Sequence, residues 1–297
     1  MIEFSYSPKS FINKGELTIP SFVDDADTNV DPMTVMAFGE EWKKFGSFNE
    51  SDIVTIGRDY FDLIDLKDLS NAVVLDVGCG SGRWAKFLSP YARFIEAIDP
   101  SDAVLFAAAA VKDISNVRVT RASVNHLPFQ DNLFDLVYSL GVLHHVPDTN
   151  EAIRKCYEKV KPGGSFLLYL YYRPDDRGWT FRTLFKLSNY LRGVVCRLPG
   201  PAKRFVCDLI AIFIYWPLVM MSALVGIFSK TDAEKMPLSY YRKTSFHIMR
   251  NDALDRFGTP LEKRFSRSEI ESMLLETGFT SLQFSQKPPY WHVVGKK

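Results

Sequence analysis

A chain of 297 residues is long enough for one large α/β domain with an insertion, or for two small domains. Hydrophobic residues make up 46% and charged residues 24%, which is the range of ordinary globular proteins. The 36 Lys and Arg residues balance 35 Asp and Glu residues, so no overall positive field attracts a polyanion, and nucleic acid is not expected as a partner.

The N-terminal part of the chain predicts a cover for a larger domain. Residues 1–32 mix turn-forming and acidic residues and predict an extended arm, and helical spacing of apolar residues predicts helices at 33–46 and 50–66. The first residues lack the basic and apolar regions of a signal peptide, and the four cysteines form no Cys-x-x-Cys pair. We therefore expect residues 1–70 to be an arm and a helical cover, and the protein to be cytoplasmic with reduced thiols.

From residue 72 onward, short β-branched runs alternate with helical stretches, as in parallel strands joined by crossover helices. The predicted strands are 72–76, 94–99, 117–121, 133–139 and 165–171, then 280–286 and 290–295. The predicted helices are 82–89, 101–112 and 149–160, and a capping box at Ser266 to Glu269 predicts another that ends near Gly278. The pattern indicates an α/β fold whose core is residues 71–172 and 264–297.

A glycine-rich turn follows the first core strand and opens a helix. Glycines allow positive φ and close approach of a ligand to the main chain, and the helix N-terminus offers unpaired N–H groups. Asp99 lies 23 residues after Asp76, at the tip of the next strand, where a carboxylate can accept hydrogen bonds from two ribose hydroxyls. Together these features predict a site for an adenosyl ligand.

The glycine-rich turn and the motifs that follow it resemble those of a known enzyme family. Leu75-Asp76-Val77-Gly78-Cys79-Gly80-Ser81-Gly82 is similar to motif I of class I S-adenosylmethionine-dependent methyltransferases. The similarity continues through Asp99, Leu127-Pro128-Phe129, Phe134-Asp135-Leu136-Val137, Leu143-His144-His145-Val146 and Lys161 to Gly164. It covers about residues 70–171 and 266–295 and resembles the small-molecule subgroup. The resemblance implies a Rossmann-like, seven-stranded, mostly parallel sheet of order 3-2-1-4-5-7-6, with an antiparallel last strand and helices on both faces.

The same resemblance implies that the cofactor is S-adenosylmethionine and that the product is S-adenosylhomocysteine. Asp76 is then expected near the amino group of the cofactor, Gly78 and Gly80 along its methionine and ribose parts, and Asp99 at the ribose diol. Ser123 stands where the family usually has an acid that receives the adenine amino group, which is a departure from the pattern. The expected cofactor-binding residues are Asp76, Gly78, Cys79, Gly80, Gly82, Asp99, Pro100, Ser123, Val124, Ser139 and Leu140.

Two adjacent histidines, His144 and His145, follow the fourth core strand, at the sheet edge where sites of α/β proteins gather. Histidine is suited to removing a proton from a hydroxyl acceptor at neutral pH. By resemblance to small-molecule methyltransferases, His144 is the first candidate for a general base and His145 the second. The alternative is that both histidines only close the turn through hydrogen bonds to the main chain. No metal site is predicted, because adjacent residues at a turn are poor chelators.

Aromatic and basic residues near the same edge are candidates for binding the acceptor. Tyr171 and Tyr172 leave the fifth core strand, and a later segment contributes Tyr241, Arg242 and His247. That segment fits a lid over an acidic or phosphorylated acceptor, and it fits a solvated basic loop equally well.

Residues 173–263 interrupt the core and predict a helical insertion with a lid. Its first helix, at 179–198, is basic and amphipathic, and after a Pro-Gly-Pro break comes an uncharged stretch from Leu209 to Ser229. Pro217 in the middle of this stretch argues against a full membrane crossing. Two alternatives stay open: peripheral contact of 179–229 with an anionic membrane at its inner face, or burial of the same faces in a homodimer or against the lid.

The resulting hypothesis is an S-adenosylmethionine-dependent methyltransferase that acts on a small or lipid-linked acceptor, with O-methylation favoured. One alternative is an NAD-dependent dehydrogenase or epimerase, which the G-x-G-x-G spacing disfavours. The other is a non-catalytic module that binds the cofactor and is anchored at a membrane.

Overall fold

The computed structural model describes residues 2–23, 27–45, 50–173, 179–287 and 292–297. The chain divides into two compact units. The first comprises residues 1–174 together with 261–297, and the second comprises 175–260. Residues 1–70 thus belong to the same unit as the predicted α/β core.

The first unit is built on a nine-stranded sheet of order β1-β2-β5-β4-β3-β6-β7-β9-β8. Its central strand, Val-Val-Leu-Asp-Val, is buried along its whole length, as expected for a parallel strand covered on both faces. The strands are β1 (Ser10–Lys14), β2 (Leu17–Ser21), β3 (Val73–Val77), β4 (Phe94–Asp99), β5 (Val117–Arg121), β6 (Phe134–Leu140), β7 (Val160–Tyr169), β8 (Thr280–Phe284) and β9 (Val293–Lys296).

The predicted order of the seven core strands is confirmed, since β5-β4-β3-β6-β7-β9-β8 is 3-2-1-4-5-7-6 in core numbering and β9 is antiparallel to both neighbours. The prediction of only seven strands is wrong. Residues 1–32 contain the hairpin β1–β2, which turns at Gly15 with φ +60° and adds to the edge of β5. The hairpin was missed because each strand has five residues and β1 is almost wholly exposed, which leaves little apolar alternation to detect.

An ion pair between neighbouring strands fastens the N-terminal segment to this edge. Arg118 of β5 donates from Nε to Oε2 of Glu96 in β4 over 2.7 Å, and its guanidinium lies 4.0 Å from the centre of the Phe4 ring. Complete burial raises the pKa of Glu96 to about 7, although Arg118 and a hydrogen bond from Thr120 act in the opposite direction. The pair therefore joins the sheet interior to the start of the chain.

Helices of the first unit cover the sheet and mostly match the predicted ranges. The second helix ends at Tyr60 instead of residue 66, because Asp65 caps a separate 3₁₀ turn, Leu66–Leu69. The predicted capping box is present at Ser266 and Glu269, and Gly278 ends that helix with φ +112°. The helices are α1 (Pro32–Phe45), α2 (Glu50–Tyr60), α3 (Arg83–Leu88), α4 (Val104–Ala110), α5 (Thr149–Lys159) and, near the C-terminus, α11 (Arg267–Thr277).

The second unit is entirely helical in its described part. Its helices are α6 (Trp179–Val195), α7 (Gly200–Ile210), α8 (Trp216–Phe228), α9 (Lys230–Lys235) and α10 (Phe246–Gly258). A π-helical turn, Ala211–Tyr215, joins α7 and α8 into one continuous helix. It ends two residues before Pro217, which has no N–H to donate and crowds the previous turn, so a wider turn there is the expected accommodation. Arg250 of α10 fastens α7 through two hydrogen bonds to Asp208.

Candidate functional site

The turn after β3 adopts the left-handed geometry that its glycines permit. Gly78, Gly80 and Gly82 have φ of +82°, +52° and +76°. The amides of Gly78 and Cys79 both donate to the carbonyl of Ile98 over 2.8 Å, which holds the turn against β4. A Cβ at position 78 would lie 2.4 Å from Cγ1 of Val142, so the residue must be glycine for the wall of the site to close.

Asp99 points from the end of β4 into this turn. One carboxylate oxygen accepts from the amide of Gly80 over 3.0 Å, and the other accepts from the amide and hydroxyl of Ser101 over 2.9 and 2.6 Å. Burial raises the pKa of Asp99, and the hydrogen bonds from Ser101 and Gly80 oppose that shift. The acid is thus held in place by the glycine turn itself, with lone pairs left for a ligand.

Asp76, near the end of β3 and next to the glycine turn, carries an unsatisfied polar atom. Its side chain is buried, and Oδ2 has no hydrogen-bond partner among the residues that the structure describes. Burial raises the pKa of Asp76 to about 8; the nearby Tyr138 hydroxyl lowers it and the charge of Asp99 raises it further. A buried acceptor of this kind is costly unless a donor or a positive charge arrives from a ligand.

A crevice of about 410 Å³, partly open to solvent, runs between the glycine turn and the N-terminal segment. Its walls come from the ends of β3 and β4, from the loops that follow β5 and β6, and from the start of α1. The lining residues are Asn29, Val30, Asp31, Val35, Val77, Gly78, Ile98, Pro100, Ala122, Ser123, Val124, Val142, Leu143, His145 and Val146. Gly78, Pro100, Ser123 and Val124 are among the residues predicted to bind the cofactor.

Asp27 reaches the loop after β5 from the N-terminal segment. Its Oδ2 accepts a short hydrogen bond from the hydroxyl of Ser123 and lies 3.2 Å from Nδ1 of His126. Asp27 is buried, as is Ser123. Asp27 was not predicted as a site residue, because it lies in the segment predicted to be an extended arm, 96 positions before Ser123. The only available signal was the absence of an acid at Ser123.

The two adjacent histidines have different hydrogen-bond partners. His145 places Nδ1 2.6 Å from the carbonyl oxygen of Leu261, which makes Nδ1 the protonated nitrogen. His144 is fully buried, and its Nδ1 accepts from the amide of Tyr171 over 3.4 Å. Burial lowers the pKa of His144 well below its usual value, with smaller contributions from His145 and Arg264. His145 lines the crevice, and its ring centre is 4.1 Å from that of His144.

A family model described as a methyltransferase domain matches residues 75–168, from the glycine turn to the end of β7. Residues 75–168 are a class I S-adenosylmethionine-dependent methyltransferase domain. S-adenosylmethionine is the cofactor of this family, as the motifs predict.

The relatives of this methyltransferase domain share it over part of their length. The uncharacterized methyltransferase YcgJ of Bacillus subtilis is 33% identical over 106 residues, which are 35% of this chain and 42% of YcgJ. A ubiquinone biosynthesis O-methyltransferase of Neisseria meningitidis is 32% identical over 152 residues, 48% of this chain and 63% of the relative. The chain thus spans about half the length of these relatives. A solved structure from Nostoc punctiforme matches 90% of this chain and 69% of its own at a TM-score of 0.50 and 15% identity, which concerns the fold alone.

The residues of the methyltransferase domain fit its cofactor on two observations. The unpartnered Oδ2 of Asp76 offers a buried acceptor for a cationic amino group, and a Cβ at Gly78 would fill the space beside Val142. Gly82 begins α3, and a Cβ there would lie 3.1 Å from Ala107. The thiol of Cys79 is buried, and burial raises its pKa well above the usual value, so it stays uncharged.

Four other residues predicted to bind the cofactor or acceptor, Ser139, Leu140, Tyr171 and Tyr172, are not among those that line the crevice. Ser139 and Leu140 are buried in β6, where the Ser139 hydroxyl donates to the carbonyl of Val77 over 2.9 Å. The Tyr171 ring stacks on His144 at 3.8 Å between centres, and Tyr172 bridges to Phe265 next to the methyltransferase core. No group of three or more potential metal ligands occurs within the described ranges.

The predicted lid residues Tyr241, Arg242 and His247 belong to the second unit. There Tyr241 donates to Asp252 over 2.8 Å, and Arg242 donates to the carbonyl of Ser239 over 3.1 Å. Burial raises the pKa of Tyr241 well above its usual value, so it remains a neutral phenol. Their role in acceptor binding remains a prediction.

Proposed function

We propose that the protein transfers the methyl group of S-adenosylmethionine to an oxygen atom of a lipid-soluble acceptor. The observation that carries the cofactor part is the buried, unpartnered oxygen of Asp76 beside a glycine turn that is pinned to Asp99. In this assignment Asp76 receives the amino group of the cofactor, Gly78 and Gly80 approach it through the main chain, and Asp99 holds the ribose diol. When bound, the cofactor supplies an electrophilic methyl group on a sulfonium.

His145 is the better candidate for the general base. Because its Nδ1–H is directed at the Leu261 carbonyl, the lone pair of the neutral ring lies on Nε2, and the residue lines the crevice. The proton of neutral His144 lies instead on Nε2, because its Nδ1 accepts from Tyr171. His144 therefore serves to position His145 and Tyr171. A base is needed for a hydroxyl acceptor, and the Neisseria relative, an O-methyltransferase by name, supports oxygen as the nucleophile.

Cofactor binding to the wild-type protein is expected to release about 0.9 proton at pH 7. A carboxyl group whose pKa is about 8 is mostly protonated at pH 7, and a cationic amino group beside it restores the charged form. Affinity then rises nearly tenfold between pH 6 and pH 7, since protonation competes with binding. Isothermal titration with S-adenosylmethionine in buffers of different ionisation enthalpy measures both quantities.

The control for this titration is Asp76→Asn, which is expected to bind more weakly and to release no proton. A wild-type protein that gives no binding would refute the proposed cofactor. Binding without proton release would keep the cofactor and remove the assigned role of Asp76.

The proposal of a lipid-soluble acceptor rests on the surface of the second unit. The continuous helix Gly200–Phe228 is the one described helix that is long and apolar enough to span a bilayer by length and composition, and only 22% of its most apolar window is buried. Phe213 and Phe228 are 72% and 91% exposed. The other large apolar side chains exposed on this helix are Phe205, Ile212, Ile214, Trp216, Met220, Met221, Leu224 and Ile227. We call this set the apolar face; a soluble monomer rarely exposes one so large.

The net charge of the second unit favours an anionic membrane as the surface that covers the apolar face. Residues 175–260 contain thirteen Lys and Arg against seven Asp and Glu, a net charge of +6, whereas the rest of the chain carries −5. Basic residues around an apolar helix are typical of proteins that lie in the headgroup layer of anionic lipid. A cytoplasmic protein that contacts the inner face of a membrane in this way meets acceptors dissolved in the bilayer.

Leu224→Glu is expected to weaken binding to anionic vesicles by about tenfold or more, because a carboxylate on the apolar face opposes burial in lipid. The matched control is Leu275→Glu in the first unit, since Leu224 and Leu275 are 58% and 53% exposed. Flotation with phosphatidylcholine vesicles, with and without phosphatidylglycerol, measures the binding. Equal flotation of both variants contradicts the membrane proposal. A wild-type protein that dimerises and does not bind vesicles contradicts it as well and assigns the apolar face to a second copy.

A further inference from the structure

The loop after β5 lacks the acid that the methyltransferase family usually places there, and another part of the chain supplies one. Asp27 lies before α1, and Oδ2 of its carboxylate accepts a hydrogen bond from the hydroxyl of Ser123. Its other oxygen accepts from the amide of Asn29 over 3.0 Å. A carboxylate is thus buried next to the position of the missing acid.

This carboxylate borders the crevice through its partners. Ser123 and Asn29, each hydrogen-bonded to Asp27, both line the crevice. A carboxylate offers about four acceptor positions. Among the residues that the structure describes, Asn29, Ser123 and His126 occupy three of these positions, which leaves one for a ligand.

The hydrogen bond also determines what Ser123 can offer. Because its proton is directed to Asp27, the hydroxyl oxygen presents lone pairs and no donor to the crevice. Asp27 and Ser123 together are therefore an acceptor-only pair. Such a pair matches a group with two N–H donors and repels a carbonyl oxygen.

The main chain holds the segment that carries Asp27 in position. The side-chain amide of Asn29 donates to the carbonyl of Asp148 over 2.9 Å, and its oxygen accepts from the amide of Asp148 over 2.6 Å. Asp31, four residues after Asp27, caps the start of α1, because its Oδ2 accepts a hydrogen bond from the amide of Thr34 over 2.9 Å. These contacts hold the segment that carries Asp27 against the loop before α5 and against α1.

We infer that Asp27, acting with Ser123, receives the exocyclic amino group of adenine and makes the site selective for adenosyl over deaminated nucleosides. The inference rests on the proposed function and adds a residue outside the methyltransferase family match. In an inosyl compound a carbonyl replaces this amino group, so its oxygen, an acceptor, would face the acceptor oxygens of Asp27 and Ser123.

The test compares the binding of S-adenosylhomocysteine and S-inosylhomocysteine by isothermal titration, which needs no methyl acceptor. The wild-type protein is expected to prefer the adenosyl compound by about 10- to 100-fold, the range for a hydrogen bond to a charged group. In Asp27→Asn the amide can also donate, so the preference should fall to about threefold or less.

Two further variants control this experiment. Asp102→Asn removes the same charge from an exposed side chain near Arg121 and is expected to keep the preference. The exchange Asp27→Ser with Ser123→Asp returns the acid to the family position and is expected to restore the preference, which also covers the case in which Asp27→Asn folds poorly. Thermal unfolding checks the fold of each variant.

The outcomes separate the inference from the function on which it rests. An Asp27→Asn protein with the wild-type preference, or a wild-type protein that binds both compounds equally, overturns the inference and leaves the proposed cofactor intact. A folded wild-type protein that binds neither compound overturns the proposed function as well.

Discussion

Gly78→Ala is expected to abolish measurable binding of S-adenosylmethionine and to destabilise the first unit by about 3 kcal/mol. Two costs add at this position. An alanine in the left-handed conformation, here at φ +82°, costs about 1–2 kcal/mol. Its Cβ would also lie 2.4 Å from a methyl group of Val142, and relieving that overlap moves the wall of the crevice. Urea unfolding and isothermal titration measure the two effects.

Gly163→Ala is the matched control, because Gly163 has φ +77° and no atom within 4 Å of a built Cβ. It should lose only the conformational part, about 1–2 kcal/mol, and retain cofactor affinity. Adding Val142→Ala to Gly78→Ala should recover part of the stability, since it removes the atoms that overlap. Equal destabilisation by the two glycine substitutions would show that the Val142 contact does not shape the site.

His145→Gln is expected to lower kcat by about 10²- to 10⁴-fold, the usual contribution of a general base, while cofactor binding persists. A glutamine side chain cannot act as the base, so the loss is expected in kcat and not in the affinity for the cofactor. The probe is a lipid-soluble phenol in phosphatidylglycerol-containing vesicles, with formation of S-adenosylhomocysteine as the readout.

His144→Gln separates positioning from base catalysis. Because His144 is fully buried and its ring lies against that of Tyr171, its replacement should lower the melting temperature and should reduce kcat less than His145→Gln does. A larger loss of kcat in a folded His144→Gln protein than in His145→Gln would reverse the two roles. A wild-type protein that binds cofactor but methylates no hydroxylated probe favours the non-catalytic alternative.

Local chemistry allowed much of the site to be predicted from sequence. Gly78, Gly80 and Gly82 have positive φ, and Asp99 contacts the turn, because the strand, turn and next strand tip are set by short-range constraints. The capping box of α11 was predictable for the same reason. Parallel pairing of the core strands followed from their apolar runs and crossover helices.

Features that depend on distant contacts were not predictable from the pattern. The protonated nitrogen of His145 is decided by the carbonyl of Leu261, which is 116 positions away. Adjacent histidines look equivalent in the sequence, although of these two buried residues it is His145 that lines the crevice. The β1–β2 hairpin likewise gains its stability from pairing with β5, which no local propensity reveals.

The carboxylate at position 27 lies outside residues 75–168, the stretch that the methyltransferase family model matches. A domain boundary drawn at this match would retain the glycine turn and Asp99, the proposed ribose ligand, but would discard Asp27, the proposed adenine ligand. In this proposal the base-selective carboxylate of Asp27 lies 49 positions before Asp76, which is assigned to the amino group of the cofactor, so substitutions can alter selectivity without altering affinity. Engineering this scaffold toward altered nucleoside cofactors would begin at its N-terminal segment, at residues 27 to 31.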